Sequence, residues 1–191
     1  MRIHNVCRLI MAAAIGAASA CGTEQVSSPV SSDEDFAATL SGANVVPPVT
    51  TTATGSVQIA IVADTYLVFR VAVNGLDSAT VARIHAGAAG QTDTALATVF
   101  VAVPCRNAAG QPINTTSPAC RTGYTGQLIE GQLKPSLMTG IPATGSGSWG
   151  ATPRARFDSL LSRMRAGTVY VQVHTKLNPT GAIRGQIQPA P

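Results

Sequence analysis

Aromatic residues are scarce in this chain. One Trp, three Tyr and four Phe amount to 4% of the 191 residues, so a core has to be assembled mainly from Val, Ile, Leu and Ala. Enzyme signatures are missing too. No Gly-x-Ser-x-Gly elbow occurs, although "ATGSGSWG" at 143–150 invites the search, and that stretch lacks the Lys and the strand-to-helix setting of a phosphate loop. Histidine is limited to three residues, and His4 falls in the N-terminal leader, which leaves His85 and His174. With no free cysteine beside them, a mature chain of this kind has few routes to an activated nucleophile. There is no concentrated basic footprint either. The 13 Lys and Arg fall to 11 once Arg2 and Arg8 leave with the leader, against 9 Asp and Glu, a net charge of +2. A nucleic-acid partner is therefore excluded.

What is present starts with an address. Arg2 and Arg8 form a short basic segment, followed by an apolar run from Leu9 to Ala18. That run is about half the roughly 20 residues a membrane-crossing helix needs, so residues 1–20 read as a signal peptide. Ala18, Ser19 and Ala20 precede Cys21, which resembles the lipobox of bacterial lipoproteins and implies lipidation of Cys21. Because Ala18 stands where Leu is usual, ordinary cleavage after Ala20 is the alternative. Acyl chains stabilise membrane attachment by about 0.8 kcal/mol per buried CH₂. Gly22, rather than Asp, after the lipid cysteine favours the outer membrane. Residues 21–35, "CGTEQVSSPVSSDED", are polar and Ser-rich and read as a tether. Residues 36–191 remain as one domain.

The other cysteines agree with an exported location. Cys7 leaves with the leader, so Cys105 and Cys120 are left as a pair around a polar, Pro/Gly-rich loop. A disulfide is expected in an oxidising compartment. C-x-x-C spacing, which a metal or redox pair would want, is absent.

Most of the domain alternates with period two. Val57, Ile59 and Ile61 share one face of a strand, and Leu67, Phe69, Val71 and Val73 share one face of the next, with a turn expected at Asp64-Thr65. "FAATLSG", "TVARIHAG", "TDTALATVFVAV", "YTGQLIEGQL", "TVYVQVHT" and "AIRGQIQ" bring the count to about eight strands, the last two flanking an Asn178-Pro179-Thr180-Gly181 turn. One segment breaks the pattern: Phe157, Leu160, Leu161 and Met164 fall on one helical stripe, with Thr152 placed to cap, Pro153 in the first turn and Gly167 at the stop. Arg154, Arg156, Arg163 and Arg165 occupy the other sides of that helix and are expected to be solvated rather than to touch anionic lipid or polysaccharide. The fold class is mainly β, an antiparallel β-sandwich with one short amphipathic helix.

Four stretches carry a family likeness: "LSGANVVPPVTTTATGSVQ", "ARIHAG", the helix ending in "RAG", and "VYVQVHTKLNPTGAIRGQI". With them the chain resembles the CHRD domain family, the chordin-type module widespread among bacterial exported proteins. The resemblance implies an immunoglobulin-like or superoxide-dismutase-like sandwich and leaves the function open.

The candidate contact residues follow from the strand faces. Val81, Arg83 and His85 point one way on their strand, and Tyr170, Gln172 and His174 share a face on theirs. Two imidazoles from separate strands would be able to meet around zinc or copper. Where family members commonly carry His-Ile-His, however, this chain has Arg83-Ile84-His85, and Ala182 stands where Glu is common. Arg83 sets a permanent cation on the face of His85, which opposes a metal. The favoured reading is therefore histidines held by local hydrogen bonds, with His85, His174, Arg83 and Arg184 as possible ligand contacts and neither a catalytic residue nor a resident metal or cofactor. Arg184 is expected on the outward face, fixing a neighbouring loop. Asp77, Asp93 and Glu130 read as solvated acids. Trp149 reads either as an exposed contact for a protein or sugar or as a cover over one end of the core. The functional expectation is a non-catalytic, membrane-anchored recognition or envelope module with an unidentified protein or glycan partner. The alternatives are a metal-dependent redox or hydrolytic protein using His85 and His174, and a binder of polysaccharide or of a small ligand.

Overall fold

Period-two alternation sets most of the chain into strands. The computed structural model describes residues 34–93, 95–103, 105, 109–111, 116–138 and 149–191. Within them lie β1 (Glu34–Ser41), β2 (Thr54–Val62), β3 (Tyr66–Leu76), β4 (Ala79–Ala86), β5 (Ala95–Val101), β6 (Tyr124–Leu133), β7 (Val169–Thr175), β8 (Ile183–Gln186) and β9 (Gln188–Pro189), with α1 (Pro153–Arg165) between β6 and β7. The expected leader, Cys21 and most of the expected tether lie outside the described residues.

All pairings are antiparallel, in the order β5-β4-β7-β8-β1-β2-β3-β6. The halves β5-β4-β7-β8 and β1-β2-β3-β6 are joined at one residue pair, Ser41 with Arg184, so the sheet bends there and faces itself as a β-sandwich. The run 182–188, expected as one strand, divides in two. β8 pairs with β7, Ile187 still donates to the Val169 carbonyl, and then β9 crosses over to pair with β1. This change of partner produces a ninth strand where about eight are expected.

The alternating apolar positions meet between the halves. Val57, Ile59, Ile61, Leu67, Phe69, Val71 and Val73 face Ala82, Ile84, Val169, Val171, Val173 and Ile183 in one core. Each fully buried large aliphatic side chain contributes roughly 1.5–3 kcal/mol relative to exposure. The β2–β3 turn sits one residue earlier than expected: Ala63 and Asp64 both take positive φ, and Thr65 N–H donates to the Val62 carbonyl at 2.8 Å. That is the primed turn whose twist matches a hairpin.

The helix forms as its pattern requires. The Thr152 hydroxyl accepts from Ala155 N–H at 3.2 Å, Pro153 occupies the first turn, and Phe157, Leu160, Leu161 and Met164 are buried. At the other end Gly167 (φ 65°) donates to the Met164 carbonyl while Thr168 donates to the Arg163 carbonyl, the paired bonds of a Schellman stop. The helix arginines are more engaged than a solvated face implies. Arg165 binds Glu34 at 2.7 Å and Asp64 at 3.0 Å, Arg156 donates to the Gly150 and Met138 carbonyls, and Arg163 lies 4.2 Å over the Trp149 ring. Trp149 is buried in the core and so covers one end of it. Cys105 and Cys120 are disulfide-bonded, with Cα atoms 5.4 Å apart, on the connection from β5 to β6.

Candidate functional site

β7 is buried along its whole length, on both faces. Val169, Val171 and Val173 belong to the core. Tyr170, Gln172 and His174 lie on the opposite side of the pleat, yet they are 2%, 6% and 5% exposed. A polar outer face has therefore been covered, and local turns provide the cover.

The 178–181 turn folds back over β7. The Pro179 carbonyl lies 2.9 Å from His174 Nδ1, and the Thr180 carbonyl accepts from Gln172 Nε2. Gly181 (φ 138°) packs so closely that an added Cβ would collide with the Gln172 side chain, so glycine is needed for both conformation and space. The turn after β4 covers the neighbouring strand. The Asp93 carbonyl lies 3.2 Å from His85 Nδ1, and Gly87 (φ 126°) would bring a Cβ to 3.2 Å from the Tyr170 ring.

Register then builds a row of rings. His85 is paired with Tyr170, Arg83 with Gln172, and Gln172 with Arg184 on the other flank. The Arg184 guanidinium carbon sits 3.5 Å over the Tyr170 ring, Tyr170 stacks on His85 at 4.9 Å between centroids and 7° between planes, and His85 lies 6.2 Å from His174. Arg184 is 2% exposed. It leaves from the outer face of its strand, as the alternation suggests, but is enclosed there because the 87–90 segment closes over it. Its Nη2 donates to the Ala88 carbonyl at 3.1 Å, so it does fix a neighbouring loop. Gln186, two residues further along the same strand face, donates from Nε2 to the Gly87, Gly167 and Val169 carbonyls.

The electrostatics of the row are one-sided. Burial lowers both imidazoles below their ordinary value. The hydrogen bond each ring makes to the Asp93 or Pro179 carbonyl works against that, and Arg83 lowers both rings further by repulsion, joined at His85 by His174 and Arg184. Burial also lowers Arg184, while Tyr170 opposes the change. Neutral rings whose Nδ1 faces a carbonyl carry their proton on Nδ1, an assignment made from the hydrogen-bond partner. Both Nε2 atoms then present lone pairs, and they are buried without partners. Nδ1 anchoring of this kind is also how proteins orient metal-binding histidines. Among the described residues no set of three or more His, Cys, Asp or Glu side chains comes together, and Arg83 presses on both rings.

Of the three acids singled out in the sequence, Asp93 lies at the site, its carbonyl facing His85, and the other two lie elsewhere. Glu130 pairs with Arg70 at 2.8 Å, and Asp77 accepts from Gly123 N–H. Sequence reasoning missed Gln186 as a member of the site, although its i, i+2 spacing from Arg184 was available as a signal.

The class these features define is an antiparallel β-sandwich with a covered polar row on the outer face of one half. The chain belongs to the CHRD domain family, whose family model matches residues 36–187. It is similar to chordin from Danio rerio, 29% identical over 153 residues that cover 78% of this chain and 12% of that protein. The chain therefore spans a small part of the length of the curated relative it matches.

Proposed function

We propose that this chain is a non-catalytic, exported recognition module, tethered to a bacterial outer membrane through lipid on Cys21 and presenting the sandwich to a protein or glycan of the envelope. The observation that carries the reading is the composition of the covered row. Among the described contacts, its two imidazoles meet main-chain carbonyls, the Tyr170 ring and each other, and feel the charge of arginines. General acid–base or nucleophilic chemistry would want a carboxylate or a nucleophile within reach of them. The match to the CHRD domain model suggests a non-catalytic extracellular module and supports this reading. Among the described residues no helix is long and apolar enough to cross a membrane; the lipid anchor rests on the lipobox-like run Ala18-Ser19-Ala20 before Cys21. Incorporation of labelled palmitate that disappears in Cys21→Ala is the expected result, and an unlabelled, freely soluble wild-type protein overturns the tether.

A second reading, a two-histidine metal site, has one observation in its favour: the two buried Nε2 lone pairs. Metal analysis of purified protein separates the readings. Stoichiometric zinc or copper that is lost in both His85→Ala and His174→Ala would replace the non-catalytic module with the metal protein.

A further inference from the structure

Arg184 is a buried cation that the chain leaves partly unsatisfied. It is 2% exposed, no ion pair neutralises it among the described residues, and its Nη1 has no hydrogen-bond partner. One main-chain carbonyl and the Tyr170 ring are the contacts supplied to its guanidinium. Holding a charge away from water without a counter-ion is costly, and removing the cost calls for an anion.

Gln186 stands beside it in a complementary state. Three carbonyls hold its Nε2, which settles the orientation of the amide, and Oε1 is left buried with no donor. Both residues line the same cavity of about 310 Å³, with Asn44, Val45, Pro48 and Ala89 among its walls. Its apolar walls suit a short hydrocarbon body, and its size is at the lower end of small-ligand sites. The wall formed by residues 42–49 is pre-shaped, because the Gly42 carbonyl accepts from both Val45 N–H at 3.1 Å and Val49 N–H at 3.0 Å. Another cavity, of about 350 Å³, is lined by Arg70 and Glu130, which already neutralise each other.

We infer that the Arg184 cavity is a binding site for a small carboxylic acid that carries an adjacent N–H or O–H donor, that is, an α-amino or α-hydroxy acid with an aliphatic side chain. Both unpaired atoms are covered in this structure, so the acid enters with small rotations of the two side chains; the carboxylate then takes the guanidinium N–H, a charge-assisted bond suited to the planar geometry of arginine. The neighbouring donor satisfies Gln186 Oε1, and the aliphatic part lies against Val45 and Pro48. The inference deepens the recognition-module reading, on which it rests, by giving that module a soluble ligand.

The test uses the full exported protein, titrated calorimetrically and by NMR with L-leucine, L-2-hydroxyisocaproate, the methyl ester of each, and inorganic phosphate. Saturable binding of either acid is expected, with shifts confined to residues 42–49, 87–90 and 184–186. Each methyl ester, having lost the negative charge of its carboxylate, should bind at least about tenfold more weakly than its acid, since bonds to charged groups are the strong ones. Arg184→Gln should abolish binding. Because that residue is buried, Ala89→Trp provides the second variant: Ala89 is exposed, so the indole fills the cavity from its rim while the thermal unfolding temperature stays near wild type. No saturable binding of either acid up to about 10 mM, the weakest range worth calling recognition, overturns the inference. So does undiminished binding by the esters or by Ala89→Trp, or binding of phosphate alone. A protein that binds neither acid yet incorporates palmitate at Cys21 loses the pocket and keeps the tether. One that binds without palmitate keeps the pocket and loses the tether.

Discussion

His85 and His174 are buried as neutral imidazoles, each anchored through Nδ1 to a turn that covers it. In the unfolded chain both return to the ordinary value of 6.5. Since the folded values are depressed, the unfolded state binds protons first as pH falls. The stability of the neutral pair is therefore fully present above the unfolded value, declines below it, and levels off once the folded rings also protonate. Thermal unfolding followed from about pH 7.5 to about pH 5 should show a falling midpoint, and His85→Gln/His174→Gln should flatten the slope. A wild-type midpoint that is level or rises on acidification sinks this account of the row. At this scale the sequence revealed which residues share a strand face. It did not reveal that the face is covered, because the Asp93 and Pro179 carbonyls that meet the rings belong to turns outside the strands.

α1 was the most legible element. Its stripe, cap and stop each use residues within a turn or so of one another, so they survive without knowledge of the fold. Thr152 and Gly167 act at opposite ends and share no partner, and their contributions should add. Thr152→Ala is expected to cost about 1 kcal/mol through the lost cap. Gly167→Ala should cost about as much, because alanine pays to hold a positive φ. Urea unfolding should give a double mutant weaker by about 2 kcal/mol with an unchanged m-value. A Gly167→Ala protein as stable as wild type would mean that the stop relaxes without cost. The strands were legible in number to within one. The ninth arose where the chain left β7 for β1 after Ile187, and no local pattern marks that exchange. The ion pairs of Arg165 were illegible for a related reason: its partners Glu34 and Asp64 are 131 and 101 residues away in sequence.

At the scale of the whole molecule, β5 and β6 are the two ends of the hydrogen-bonded path, and the connection between them carries the disulfide. Closing a loop with a sequence separation of 15 residues stabilises the fold by about 3 kcal/mol in the chain-entropy model. The variant Cys105→Ser/Cys120→Ser should therefore keep the β spectrum of the wild type and unfold at distinctly lower denaturant. Equal midpoints for the two proteins would show the loop to be ordered without its bridge.

The sequence alone determined the class of architecture, the helix with both its ends, and the pairing of the two cysteines. Each of these depends on periodicity, on neighbours a few residues apart, or on simple counting. Only the tertiary structure decided that Arg184 is an enclosed cation, that Tyr170 lies between it and His85, and that Gln186 keeps an unpaired oxygen beside it. Alternation specifies the side of the pleat from which a side chain leaves. What then closes over that side depends on turns brought from elsewhere in the chain, and that contact is made only when the sheet has folded.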